Sequence, residues 1–246
     1  MITIKDVKAK TMTQEKEKSA KNDWFAYYVG RPISYFFTIP FLYTNIKPNT
    51  ITLISMIFVV IGTVLTCLNV WVWLPLLGWV GFFLWNIFDG IDGNVARYKQ
   101  EFSKNGSVWD ATAGYLAMYF SFFSYGIASY NFPGFLTEFA NIPPVVFVIL
   151  GSISGFSLIF PRLVLHKKKS TLKDDSTNDL QNKSNYGWLK IIVLNLTSIS
   201  GFVQIFMLII CVLAGFGIFV FDIFTSLYFF INFFMMVVSL FKLLKD

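Results

Sequence analysis

From Ile51 to Leu68 the chain reads ITLISMIFVVIGTVLTCL, with no charged residue anywhere in the run. A helix needs about 20 apolar residues to cross a bilayer, and only helices and closed barrels satisfy their own backbone groups there. The run therefore predicts a membrane span, with Pro48 at the helix start and Asn49 or Thr50 as its cap. Apolar blocks follow from Trp71 to about Phe88, from Ser107 to Tyr130, from Pro144 to Leu165 and from Trp188 to Leu244. The last is long enough for two spans, with Gly215 and Gly217 beside the turn between them. With 55 % hydrophobic residues and a mean hydropathy of +0.61, the chain carries more apolar surface than a soluble domain can cover. The expected fold is an all-α integral membrane protein, a six-transmembrane-helix bundle formed by residues 23–246.

Ahead of the spans, residues 1–22 are polar and lysine-rich, without an apolar core of the signal-peptide kind, and read as a flexible cytoplasmic tail. Asp23 to Tyr43 mixes Trp24, Tyr27, Tyr28 and Phe36 with Arg31 and Pro32. It is too polar for a span and too aromatic for a solvated loop, which predicts an N-terminal interfacial amphipathic helix broken near Pro32. Charge supplies the orientation. All 20 Lys and Arg fall at or before Lys47, in Arg97–Lys104, in Arg162–Lys190 or at the C-terminus, and six alternating spans put those regions on one side. The intervening loops carry only Glu138 and Asp222. By the positive-inside rule the lysine-rich side, with both termini, is cytoplasmic in this multi-pass arrangement.

Within the bundle the costly residues are Asp89, Asp92 and Asp110. A charge in the membrane costs about 2.5–3.5 kcal/mol on insertion scales unless something compensates it. Asp89 and Asp92 are three apart and share a helix face. Gly93 and Ala96 leave room for close approach to the backbone, Arg97 adds a fixed cation, and Gly106 and Asp110 open the next span. Acid oxygens beside small residues and an arginine suit a hydrated Mg²⁺ or Mn²⁺ holding a diphosphate. The plainer reading is that Asp89 and Asp92 cap a helix or pair with Arg97.

These residues carry a resemblance. Asp89, Asp92, Gly93, Ala96, Arg97, Gly106 and Asp110 match seven of the eight fixed positions of D-x2-D-G-x2-A-R-x8-G-x3-D-x3-D, with the eight-residue spacer intact. On that pattern the chain resembles the CDP-alcohol phosphotransferases. The resemblance implies transfer of a substituted phosphate from a CDP-linked lipid or alcohol donor to an alcohol acceptor, with release of CMP. It implies Mg²⁺ or Mn²⁺ on Asp89, Asp92 and Asp110, with Asp110 in the catalytic machinery. It also implies donor binding by Asp92, Gly93, Ala96, Arg97 and Gly106, and an active site at the cytoplasmic face. Pro48-Asn49-Thr50-Ile51-Thr52 resembles the opening of the family's first span, and Arg31-Pro32-Ile33-Ser34 resembles members that use polyol phosphates.

The eighth position is Gly114 where the pattern has a fourth aspartate. In the family that residue completes a second metal site and takes the proton from the acceptor hydroxyl. Three readings are open: turnover with altered metal binding and a base elsewhere, the acceptor's own anionic group included; loss of catalysis with binding kept; or a deliberate substitution that traps a complex.

Other features weigh less. Cys67 and Cys211 lie in apolar blocks and read as packing residues. His166 sits beside Lys167–Lys169, which read as anchors to anionic membrane lipids. Gly151 and Gly155 form a small-xxx-small motif, either the seam of a homodimer or a site of intrachain packing. Nothing in the sequence suggests nucleic-acid binding.

Overall fold

The computed structural model describes residues 1–172 and 187–245. Described residues outside the loops are helical, and none forms a strand. In chain order the helices are α1 (Ile4–Thr11), α2 (Gln14–Ala20), α3 (Arg31–Leu42), α4 (Pro48–Cys67), α5 (Leu74–Lys99) and α6 (Gly106–Asn131). They continue with α7 (Phe135–Phe139), α8 (Val145–Leu172), α9 (Trp188–Thr197), α10 (Phe202–Gly215) and α11 (Phe221–Leu244).

Among the described residues four helices are long and apolar enough to cross a membrane: α4, α5, α8 and α11. The pair α9 and α10, bent by 42° at the break between them, makes a fifth if taken as one broken span. The six-span expectation thus stands at four to five by length and apolarity. The difference lies in α6, which has the length but carries Asp110, Thr112 and a series of Ser and Tyr residues. The described part of the polar stretch from His166 to Tyr186 continues α8 as far as Leu172, and the remainder lies outside the described residues.

Residues 1–22 depart from the expected tail by folding into α1 and α2. Thr3 and Asp6 form a capping box, with the Thr3 backbone N–H and hydroxyl donating to Asp6 Oδ2 at 2.8 and 2.7 Å. Thr13 caps α2. Val7 and Thr11, one turn apart, are buried. The expected break near Pro32 sits one turn earlier, as a π turn over Ala26–Gly30, while Pro32 lies in the first turn of α3. A proline ring crowds the carbonyl four residues back, and a widened turn there relieves the crowding.

The chain divides into two compact units. Among the described residues the first comprises 1–59, 82–116 and 187–205, and the second 60–81, 117–172 and 206–245. In the first, Ile87, Ile91 and Val95 repeat every four residues along α5 and pack with Ile51 into a buried stripe, joined by Ile33, Phe41 and Phe88. Gly90 allows α3 to come close, since a Cβ there would meet Ser34 Cβ at 2.9 Å. Asn94 Nδ2 donates to Thr38 Oγ1 at 3.2 Å and to Ser34 Oγ at 3.4 Å. Each such net bond adds about 1 kcal/mol where the partners are buried. The result fastens α3 onto the helix that carries the aspartates.

In the second unit the small-xxx-small motif packs within the chain. A Cβ on Gly151 would meet Phe122 O at 2.6 Å and Gly126 Cα at 3.0 Å, and one on Gly155 would meet Tyr119 O at 2.8 Å. The α6 backbone fills the seam considered for a homodimer. Cys211 is buried between Tyr125 Oη at 3.1 Å and Pro75 O at 3.4 Å, and both cysteines are free thiols. Asp222, fully buried, accepts from the Leu136 and Thr137 backbone N–H groups at 2.7 and 3.1 Å, which caps the short helix α7.

Candidate functional site

Asp92, Gly93, Ala96 and Arg97 occupy the last turns of α5, and Gly106 and Asp110 the first turn of α6. Together with Asn49 and Thr52 from the start of α4 and Glu101–Ser103 from the connecting loop, they line an open cavity of about 350 Å³. The loop turns sharply at Gln100, whose φ of 57° is left-handed, and Lys99 Nζ donates to Thr44 O at 2.6 Å. Six of the residues predicted from sequence are thereby brought to one cavity. Asp89 lies one turn deeper on α5, half-buried and outside the lining; Gly114, one turn beyond Asp110, is also outside it.

The carboxylates differ in their surroundings. Asp92 is 5 % exposed, and its Oδ2 accepts from Thr52 Oγ1 at 2.5 Å. Asp110 is exposed and Asp89 half-buried, and neither has a hydrogen bond or ion pair among the described residues. Asp89 lies within the electrostatic reach of Asp92 and Asp110. Unpaired like charges of this kind are stable only if a cation is drawn in or protons are taken up. The plainer sequence reading, an Asp92–Arg97 pair, is absent among the described residues.

Arg97 is the counterpart. Its Nη2 donates to Asn94 Oδ1 at 3.3 Å, and its buried Nε has no partner among the described residues. The guanidinium lies against Gly93: a Cβ there would stand 2.9 Å from Nη2 and 3.1 Å from Nη1. Glycine at 93 therefore serves the arginine first, by giving it a flat seat against the helix. Ser103 Oγ donates to Asn49 Oδ1 at 3.1 Å and ties the loop to the start of α4.

Sequence reasoning did not assign Thr52 or Asn94 to the site, nor anything from residues 1–22. Thr52 was legible, since it is the last residue of the Pro48–Thr52 pattern. The N-terminal contribution was not. Glu17 Oε1 accepts from Tyr27 Oη at 2.6 Å and Lys8 Nζ at 3.1 Å, which clamps α2. The Tyr27 hydrogen bond, then Lys8, holds the Glu17 carboxyl below its usual range, and the same bond pushes the Tyr27 phenol up to about 12. Lys16, on the clamped helix, is half-buried and lies within the electrostatic reach of Arg97, Arg31 and Asp110. Burial first, then the two arginines, pushes its ammonium down to about 8.

A divalent ion was predicted from the donor set, and its fit follows from the geometry. Among the described residues, no three acid, histidine or cysteine side chains close on a common point tightly enough to cage a metal. Mg²⁺ does not ask for a cage: it keeps several waters and takes one or two carboxylates plus substrate phosphate. Asp92 and, across the cavity, Asp110 fit that mode, with Asp89 behind them.

No curated protein matches the chain in a sequence search. The family model described as CDP-alcohol phosphatidyltransferase matches residues 45–241, which include every residue of the cavity, and the chain belongs to that family.

Proposed function

We propose that the chain transfers a substituted phosphate from a CDP-linked donor, such as CDP-diacylglycerol, to an alcohol with release of CMP, in membrane-lipid synthesis. Family membership carries the reaction class: transferases acting on CDP-alcohols, which generally use divalent metal ions. One observation carries the assignment to this cavity. A half-buried arginine without an acid partner faces carboxylates without a basic partner, across a space of about 350 Å³. Such a separation of charge suits an anionic ligand bridged to the acids by cations.

In the proposed mechanism Arg97 and the small face of Gly93 and Ala96 seat the diphosphate. Asp89, Asp92 and Asp110 would hold Mg²⁺ or Mn²⁺, with Thr52 fixing the Asp92 carboxylate. The ion, when bound, neutralises the diphosphate and the leaving CMP. The acceptor oxygen bonds to the phosphorus bearing the donor alcohol, and the phosphoanhydride P–O bond breaks. CMP leaves with that electron pair, and the hydroxyl proton passes to Asp110, the exposed carboxylate. Six spans with both termini and the cavity on the cytoplasmic side complete the proposal. A cysteine placed at Asn131 should then react with an impermeant thiol reagent in intact cells, whereas one at Ser170 should react only after permeabilisation.

Gly114 favours a second reading, in which the chain binds donor without turning it over. Incubation of the purified protein with CDP-diacylglycerol, Mn²⁺ and a panel of alcohols separates the two. CMP release that depends on one alcohol supports the transferase. Donor binding without release under every alcohol supports the second reading and refutes turnover.

A further inference from the structure

We infer that Trp85 and Asn86, one turn before Asp89 on α5, are positioning residues that donate to the Asp89 carboxylate when it holds a divalent ion. The inference rests on the reading of Asp89 as a ligand of that ion. Trp85 is 4 % exposed and Asn86 half-buried. The indole Nε1 and the amide Nδ2 are both buried, and neither has a hydrogen-bond partner among the described residues. A buried donor left unpaired costs stability, and native chains keep few of them without a use. Neither residue belongs to the spaced signature that runs from Asp89 to Asp110.

The α5 helix runs unbroken from Leu74 to Lys99, so sequence spacing decides which side chains share a face. Trp85 is followed at intervals of four, three and four by Asp89, Asp92 and Ala96. Asn86 is followed at the same intervals by Gly90, Gly93 and Arg97. Both rows end on residues that line the cavity. Asp89 stands between their first members, four residues after Trp85 and three after Asn86. Helix residues at those separations bring their Cβ atoms to about 5–6 Å. Side chains on a helix lean toward its N-terminus, so the Asp89 carboxylate leans over the turn that carries the two donors. Side-chain rotation alone can then join an unpaired acid to an unpaired donor. Asp92 already has such support, since its Oδ2 accepts from Thr52 Oγ1. Carboxylates that ligate a metal are themselves hydrogen-bonded, which fixes their orientation, and Trp85 and Asn86 supply for Asp89 what Thr52 supplies for Asp92. The cation on the same helix, Arg97, is two turns from Asp89 and is seated on Gly93.

Calorimetry of Mn²⁺ binding to the full chain in detergent, with and without CDP, tests the inference beside a thermal melt in EDTA. Loss of a residue that holds a metal ligand costs about 10–100-fold in metal affinity. Asn86→Leu should therefore weaken Mn²⁺ binding by about tenfold or more, and Trp85→Phe, which deletes the indole N–H, should act in the same direction. In EDTA Asn86→Leu should melt no lower than the parent, because it removes a buried donor that has no partner. A side chain that served packing alone would lower the melt and leave Mn²⁺ affinity where it was. On an Asp89→Ala background neither substitution should cost anything further, since the group they position is gone. If Asp89→Ala weakens Mn²⁺ binding while Asn86→Leu and Trp85→Phe bind it as the parent does, the inference falls and the metal reading stands. A cost that survives the loss of Asp89 also overturns the inference. If Asp89→Ala binds Mn²⁺ as the parent does, or the parent binds none, Asp89 is not a ligand and both readings fall.

Discussion

Replacing Gly93 by alanine tests the site through a single methyl group. The added Cβ would stand 2.9 Å from Arg97 Nη2, about half an ångström inside the 3.4 Å at which ordinary contact begins. The backbone of α5 need not move, because the obstacle is the far end of a flexible side chain. Helix propensity rises by about 1 kcal/mol in going from Gly to Ala, so the melting temperature should hold or increase. Binding should move the other way. A hydrogen bond to a charged group contributes about 1.5–3 kcal/mol, and a guanidinium lifted off its seat loses part of that, so CDP affinity should fall about tenfold. Calorimetry with CDP and Mn²⁺, beside a thermal melt, reads both effects. A double-mutant cycle ties them to the arginine: on an Arg97→Ala background, Gly93→Ala should cost nothing further. If Gly93→Ala binds CDP as the parent does, or if its cost survives loss of Arg97, the guanidinium is not what position 93 accommodates.

Gly151→Ala should lower stability by about 1–3 kcal/mol, because its Cβ meets the Phe122 carbonyl at 2.6 Å and backbone cannot yield cheaply; a melt no lower than the parent's would remove that helix contact from the account. Asp89→Asn should weaken CDP binding about as much as EDTA does, and equal affinity with and without EDTA in the parent would sink the metal assignment. Gly114→Asp should fold, tighten Mn²⁺ binding and raise CMP release by about tenfold or more, while Gly114→Asn should not.

Most of the cavity is legible in the sequence because its residues are costly in a membrane helix and sit at fixed spacing. Asp92, Gly93, Ala96 and Arg97 follow from one helical stretch, and Gly106 and Asp110 from the next. The long helices are legible for a related reason, since apolar runs such as Ile51–Leu68 admit few other structures. What was not legible depends on contacts distant in sequence. Nothing local makes α2 more than a charged segment; its place is set by Tyr27 on Glu17 and by Asn195 on Asn22. The seat of Arg97 against Gly93 is equally invisible, because a glycine four residues before an arginine has many explanations until the guanidinium is located. The α9–α10 break at Ser198–Gly201 falls in a stretch of small polar residues, while the apolar blocks on either side read as one span. In α6 the reverse holds: the polarity that makes its first turn useful also removes it from those helices apolar enough to cross unaided.

The match at seven positions and the departure at the eighth bear on different steps of one reaction. On the proposed reading Arg97, Gly93, Asp92 and the Asn49–Ser103 tie would seat the diphosphate. Gly114 would then concern the acceptor, whose hydroxyl must lose a proton as the new P–O bond forms. A general base there contributes about 10²–10⁴-fold in rate without strengthening the donor complex. Donor affinity and turnover should therefore vary independently across Gly114 variants, whereas Gly93 and Arg97 variants should lose both together. Asp110 is one turn from Gly114, is exposed and has no hydrogen bond among the described residues, and in the proposed mechanism it would take the proton. In doing so it would leave the ion with fewer acid ligands at the moment charge builds on the leaving CMP. That conflict gives the fourth aspartate its physical purpose, and it predicts that the defect at Gly114 appears in the chemical step while the donor stays bound.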